Sequence, residues 1–351
     1  MKSFFKILAV ILIICVVAAL VLGIVLWCTE YKPSERESLS YNSRGSRGLY
    51  SGREINIIEW NIREGITGRD DDSYKEGGKM TESNGSKAVY ENLLGIAETL
   101  NYYDADIYII DNVDTASKGT MNIDEASYIS SKMNLVPLFA YDKKVKYTPY
   151  PWPFEGNANK GNMMLSHFGL SSLERVALPY KNTQFPLHLV AEKPGAMVAK
   201  IPLSNSDSSL VLINATPEKG LIANETSTDA QLDTILKLAY DEYANGENYV
   251  IVASSFNRLL DDNTTINNNS IPLPSKFNIE LNEGWSLVYD ETKPTTRSLN
   301  SPFSSDSDNI NTYITDGYIV SPNVDVNSIE TIDEEFFYAA HNPVRLKAVL
   351  R

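Results

Sequence analysis

An unbroken apolar run at positions 7–28, without a single charge, constrains this chain more than any other feature. As an α-helix its 22 residues reach about 33 Å, enough to cross the ~30 Å hydrocarbon core of a bilayer. A cleavable signal peptide has a shorter apolar core and small residues at its cut site, whereas this run ends in bulky Leu26 and Trp27. It therefore reads as an uncleaved transmembrane signal anchor. The alternative, lipidation of Cys28, requires a small residue where Trp27 stands. Lys2 and Lys6 hold residues 1–6 on the cytoplasmic side, because the basic flank of a first helix decides its orientation. The expectation is a single-pass cell-membrane protein whose C-terminal domain is extracytoplasmic.

Residues 29–53 are rich in Ser, Gly and charge and lack apolar periodicity, which predicts a flexible tether. Residues 54–351 follow as one large domain. The first 53 residues carry seven basic and three acidic side chains, a net +4; the whole chain is −14, so the domain alone is −18. General nucleic-acid binding, which draws its affinity from Lys and Arg on phosphates, does not suit so acidic a surface. The only cysteines, Cys15 and Cys28, lie in the apolar run, so the domain has neither a disulfide framework nor a cysteine metal site.

Within the domain, EINIIEW, DIYII, LVLINA, YVIVAS, YITDGYIV and VRLKAVL have the length and the β-branched, aromatic composition of strands. KAVYENLLGIAETL and DAQLDTILKLAYDEYA space apolar residues by three and four, as amphipathic helices do. Each helix precedes a strand that ends in polar residues, Asp111-Asn112 in one case and Ser254-Ser255 in the other. The pattern predicts an α/β sandwich, two packed mixed β-sheets with helices on the outside in four layers, preceded by the transmembrane helix. Polar strand ends are where such folds put their sites.

Those ends form an ordered series: Trp60-Asn61; YIIDNVD around Asn112; GNMMLSHF at 161–168; Asn214-Ala215-Thr216; Ser254-Ser255-Phe256-Asn257; YITDGYIV with Asp316; and Ala339-Ala340-His341. In this order and spacing they resemble the endonuclease/exonuclease/phosphatase family of metal-dependent, deoxyribonuclease-like phosphohydrolases. The chain is particularly similar to a membrane-anchored bacterial subgroup with a TEYKP-like segment after the anchor, a GGKM segment (here 77–80) and a PTxRS loop (here 294–298). The resemblance implies that Asn61, Asn257, Asp316 and His341 stand at retained site positions. It also implies four replacements: Asn112 for the metal-binding glutamate of Leu-Gln-Glu, Thr216 for the histidine of Asn-Thr-His, Ser255 for the aspartate of Gly-Asp-Phe-Asn, and Ala340 for the aspartate of Ser-Asp-His. The Gly-Asn match at 161–168 is structural.

Mg²⁺ is held mainly by carboxylate oxygens and water, so losing three family carboxylates predicts weak metal affinity. Serine is no base near neutral pH, and threonine does not replace a charged imidazole donor. Asp316 and His341 read either as a buried hydrogen-bonded pair kept for packing or as a retained ligand-binding pair. The expectation is a pseudoenzyme with weak or no metal-dependent phosphoester hydrolysis, holding a phosphate-containing ligand or a protein. No cofactor is expected, or Mg²⁺ or Mn²⁺ if the site turns over. The alternatives are an active phosphodiesterase or phosphatase with a non-standard site, and a structural cell-envelope interaction module.

Other candidates receive plainer readings. Asp111 is expected on the opposite side of its strand from Asn112, and Asp114 on the same face but too far along to restore a metal site. Asp70-Asp71-Asp72 reads as a solvated loop, and His167 and His188 as ordinary histidines. The segment YDKKVKYTPYPWPFEG at 141–156, with Lys143, Lys144, Lys146, Tyr147, Tyr150, Trp152 and Phe154, reads as a Pro-stiffened loop over a sheet edge, or as a ligand or membrane contact.

Overall fold

The computed structural model describes residues 2–148, 156–180, 183–218, 225–261 and 264–351. In chain order the elements are α1 (Lys2–Cys28), β1 (Arg36–Ser38), β2 (Glu54–Asn61), α2 (Ser86–Tyr103), β3 (Ile107–Asp114), α3 (Glu125–Met133), β4 (Leu138–Thr148) and β5 (Gly156–Ser166). Then come β6 (Ser172–Ala177), β7 (Gly195–Pro202), β8 (Ser209–Asn214), α4 (Glu225–Gly246), β9 (Tyr249–Ser255), β10 (Ser286–Val288) and β11 (Thr296–Arg297). Short α5 (Phe303–Asp306), β12 (Thr312–Tyr313), β13 (Asp316–Val320), β14 (Val324–Thr331) and β15 (Val344–Leu350) complete the chain.

Alternation along the strands builds the layers. In β2, Ile55 and Ile57 face one way and Ile58 and Trp60 the other, and all four are buried, so this strand is covered on both sides. The first set joins Ile107, Ile109, Leu212, Ile251, Tyr318 and Leu346 in a core between two sheets. The second packs against Val89, Leu93 and Ile96 of α2 and Ile129 of α3. On the far side, Val211, Ile213, Val250 and Val252 meet Leu232, Ile235 and Ala239 of α4. The result is four layers: helices, the six-stranded sheet β14-β15-β2-β3-β5-β4, the seven-stranded sheet β1-β6-β7-β8-β9-β13-β10, and a helix.

Each sheet contains one parallel pair, β2 with β3 across α2 and β8 with β9 across α4. These crossovers carry the C-terminal ends of four strands to one end of the sandwich, where open α/β sheets present their ligand sites.

The N-terminal helix has the length and hydropathy to cross a membrane over Ser3–Cys28. The segment after it differs from the expected tether. β1 adds to the sheet edge beside β6, Arg47 pairs with Asp106 at 2.7 Å and Asp104 at 3.1 Å, and Leu49 sits in the inter-sheet core. A polar composition conceals the attachment because edge-strand hydrogen bonds and one apolar plug suffice to hold such a segment.

The acidic run also departs from its reading as solvated. Asp71 and Asp72 are buried, Asp72 accepts the backbone N–H groups of Lys79 and Met80, and Asn84 donates to Asp71. Desolvation lifts the Asp71 carboxyl to about 6. The sequence of 141–156 continues β4 as far as Thr148, with Lys143 buried. Tyr150, Trp152 and Phe154 lie outside the described residues.

Candidate functional site

The floor of the site is a chain of amides. Asn61 ends β2 and, through Oδ1, accepts the Asn112 side-chain amide at 3.0 Å and the Arg63 backbone N–H at 3.1 Å. Asn112 occupies a bulge in β3 at φ +53°, a left-handed conformation that asparagine tolerates better than most residues. The bulge turns its backbone N–H to Asn162 Oδ1, at 3.1 Å, and Thr216 Oγ1 donates to the same oxygen at 3.3 Å. Asn162 completes its bonding through Asp142. Gly161, beside it, has no room for a Cβ, which would stand 1.9 Å from the Ala140 carbonyl.

Beneath the amides lie three carboxyl groups. Asp111 is fully buried and accepts from the Asn214 side chain at 2.6 Å and the Ser255 backbone N–H at 3.3 Å. Burial raises it to about 7. Glu59 is also fully buried, neither of its carboxyl oxygens has a hydrogen-bond partner, and desolvation with the adjacent Asp316 and Asp111 charges pushes it well above the ordinary carboxylate range. Burial disfavours the charged form of both carboxyls. Asp316 goes the other way: burial works against its charge, but the His341 imidazole, Thr295 and Thr315 outweigh burial and hold it below 3.8. His341 Nδ1 lies 2.9 Å from Asp316 Oδ1, and its backbone carbonyl accepts Trp60 Nε1 at 2.8 Å.

The 294–298 loop explains itself here. Thr295 Oγ1 donates to Asp316, while buried Arg297 donates to the carbonyls of Thr67, Gly68 and Asp71 and so fixes the wall that follows β2. Above the floor opens a cleft of about 440 Å³, reached by Asn112, Thr216 and Asn257 and walled by Met80 of the 77–80 segment. Eight carboxyl groups and three cations line it, and each of those cations is paired: Arg63 with Glu76 (2.7 Å), Lys160 with Glu64 (3.1 Å) and Glu192 (2.8 Å), Lys118 with Glu82 (3.6 Å). The lining therefore presents acid rather than a phosphate clamp. Asp114 also lines the cleft, with burial raising it to about 7 and the Ser117 N–H on its Oδ1 at 2.7 Å.

No protein-family model matches this chain, and no curated protein matches it. Solved structures do. An endonuclease/exonuclease/phosphatase protein from Beutenbergia cavernae superposes with a TM-score of 0.57 at 15% identity, over 85% of this chain and 72% of that one. Truncated TDP2 from Caenorhabditis elegans gives 0.53 at 12% identity, over 85% and 99%. The human Nocturnin catalytic domain, solved with a bound sulfate anion, gives 0.52 at 13% identity, over 86% and 96%. The fold is the endonuclease/exonuclease/phosphatase fold.

On that fold, the strand ends singled out in the sequence converge. Asn61, Asn112 and Thr216 join through Asn162; Ser255 and Asp316 sit opposite one another on paired strands; Asp316 meets His341. Asn257 stands apart from the amide chain, at φ +53°, donating to the Pro217 carbonyl at 2.7 Å. Ala340 is sealed by its own backbone, its N–H on Thr67 Oγ1 and its carbonyl accepting from Arg297. Two site residues escape the sequence reading. Asn162 lies in the match read as structural, although an asparagine on a buried strand is a signal. Glu59 is a lone acid inside an apolar strand, the same kind of signal. Asp111 does face away from the cleft, but into the space between the sheets rather than outward.

The donor set where β2, β3 and β9 end does not suit a hard divalent cation. Asn61 Oδ1 and Asn162 Oδ1 are each taken up by two donors, Ser255 offers an unpartnered hydroxyl, and the carboxyls of Glu59 and Asp111 lie below, where burial works against their charge. A second cavity of about 440 Å³, around Arg44, Ser46 and His167, lies at the opposite ends of the strands and contains none of these residues. There His167 Nδ1 lies 3.2 Å from Ser46 Oγ.

Proposed function

We propose that this protein is a membrane-anchored domain of the endonuclease/exonuclease/phosphatase fold that has little or no metal-dependent phosphoester hydrolysis and uses its cleft to bind a ligand. The observation that carries the reading is the neutral floor: Asn61, Asn112, Asn162 and Thr216 satisfy one another where phosphoester hydrolysis needs a cation held by charged oxygens. The paired cations of the cleft add to it, since a phosphate would have to displace a carboxylate to be held. Such a lining favours an uncharged or basic ligand, such as a protein segment, over a polyanion.

The orientation follows from the basic N-terminal flank, with the domain outside the cytoplasm. The test is calorimetry with Mn²⁺ together with hydrolysis of a generic phosphodiester. Wild type should give neither tight binding nor turnover above a His341→Ala control. The combined variant Asn112→Glu, Thr216→His, Ser255→Asp, Ala340→Asp should gain metal affinity if the replacements are the cause of the loss. Tight metal binding and turnover by wild type would refute the proposal.

One observation favours a second reading, an active hydrolase with a displaced acid. The Asp111 carboxylate lies against Ser255, where the family's aspartate is expected, beside an intact Asp316–His341 pair. In that case Asp111→Asn would abolish a metal-stimulated activity that wild type possesses.

A further inference from the structure

The last turns of α1 are not free of the domain. Leu26 is buried, and with Leu22 it packs against Val145, Leu189 and Val190, the latter two from the short helical turn Leu187–Val190. The junction is braced by polar contacts as well. Lys193 Nζ lies 3.7 Å from Glu30 Oε1 with both side chains largely buried, and it donates to the His188 carbonyl at 3.0 Å. On the same turn and just before it, Phe185 is 70% exposed and Leu187 46% exposed, with Tyr180 partly exposed nearby in sequence.

The length of α1 fixes the level of this junction. Its uncharged run at 7–28 reaches about 33 Å, against a hydrocarbon core of about 30 Å, so its C-terminal turn, with Leu26, stands at the boundary between acyl chains and headgroups. A loop that packs on Leu22 and Leu26 is held at that same level. Exposed aromatic and aliphatic side chains are stabilised there, and Trp27, 62% exposed at the same end of α1, is of the type enriched in this zone.

We infer that the Phe185–Leu187 edge is a second membrane contact, seated in the leaflet from which α1 emerges, and that the bilayer itself is its partner. The inference rests on α1 being a bilayer span. Glu192 and Pro194, which line the cleft, follow Val190 directly, so this contact sets that rim of the cleft at the headgroup surface. Ligand would then enter along the membrane rather than from bulk solvent.

The two native cysteines make the test direct, because both lie in α1. Full-length protein in phosphatidylcholine–phosphatidylglycerol vesicles is labelled with a polarity-sensitive fluorophore at single cysteines. One form keeps only Cys15; the others carry Cys15→Ser and Cys28→Ser with Phe185→Cys, Leu187→Cys or Asp207→Cys. Asp207 is exposed in the β7–β8 turn, one strand length from Val190, about 25 Å along β7. Nitroxide lipids should quench the probes at Cys15, 185 and 187 and spare the probe at 207. Quenching at Cys15 with 185 and 187 behaving like 207 would overturn the second contact while leaving the anchor standing. No quenching at Cys15 would overturn the anchor, and the inference with it.

Discussion

Replacing Asp111 by asparagine changes one proton and almost no volume, at a point where nothing is exposed to solvent. The carboxyl's ordinary value of 3.8 is raised to about 7 by burial. A folded-state pKa above the unfolded one means the folded protein binds the proton more tightly. The stabilisation is therefore complete below about pH 4 and is lost as pH rises through about 7. At about 1.4 kcal/mol per pH unit, a rise of about three units sets a ceiling of about 4 kcal/mol. Relaxation around the Glu59–Asp111 pair reduces that to about 2–4 kcal/mol. An amide carries no charge at any of these pH values: its oxygen still accepts from Asn214, while its NH₂ stands where Oδ2 accepts the Ser255 N–H, a loss that is the same at every pH. Whatever that constant loss, the variant should gain on wild type between pH 5 and pH 8. The assay is urea unfolding of the full chain in detergent micelles at pH 5, 6, 7 and 8, followed by the fluorescence of buried Trp60 and Trp285. Asp71, Asp114 and Asp142, also raised by burial, tilt both proteins alike, so the difference isolates the pair. Parallel pH slopes for the two proteins would refute the idea that burial raises the Asp111 carboxyl under the cleft.

Arg297→Lys should cost about 2–4 kcal/mol, because one ammonium cannot span the carbonyls of Thr67, Gly68 and Asp71; faster hydrogen exchange in the 67–71 wall, read by mass spectrometry, is the accompanying sign. Gly161→Ala forces a methyl onto the Ala140 carbonyl and should cost about 1–3 kcal/mol by thermal unfolding, with loosening concentrated in β4 and β5. Asp316→Asn removes the anion that His341, Thr295 and Thr315 hold, and a loss of about 3–5 kcal/mol at pH 7 is expected from chemical denaturation. Because the Asp316 carboxyl is held below its ordinary value, its contribution is present above about pH 4 and disappears with acid; a variant as stable as wild type at pH 7 would count against the pair.

The sequence by itself determined the membrane-length helix, the strands and crossover helices that build the sandwich, and the order of polar residues at their ends. These follow from local periodicity and run length, which are properties of neighbouring residues. Ile58 and Trp60 alternate with Ile55 and Ile57 whatever the rest of the chain does. Only the tertiary structure decided what the polar ends amount to. Hydrogen-bond partners such as Asn112 and Asn162, or Asp111 and Asn214, are separated by 50 and 103 residues, and the bulge at Asn112 that aims one of them is not written in any local pattern. The raised carboxyls of Glu59 and Asp111 are likewise tertiary, since the shift comes first from burial between two sheets and then from neighbouring acids such as Asp316. Residues 29–53 show the same division. Their polarity is legible in the sequence, but their attachment depends on an open sheet edge and a gap for Leu49, which distant strands create.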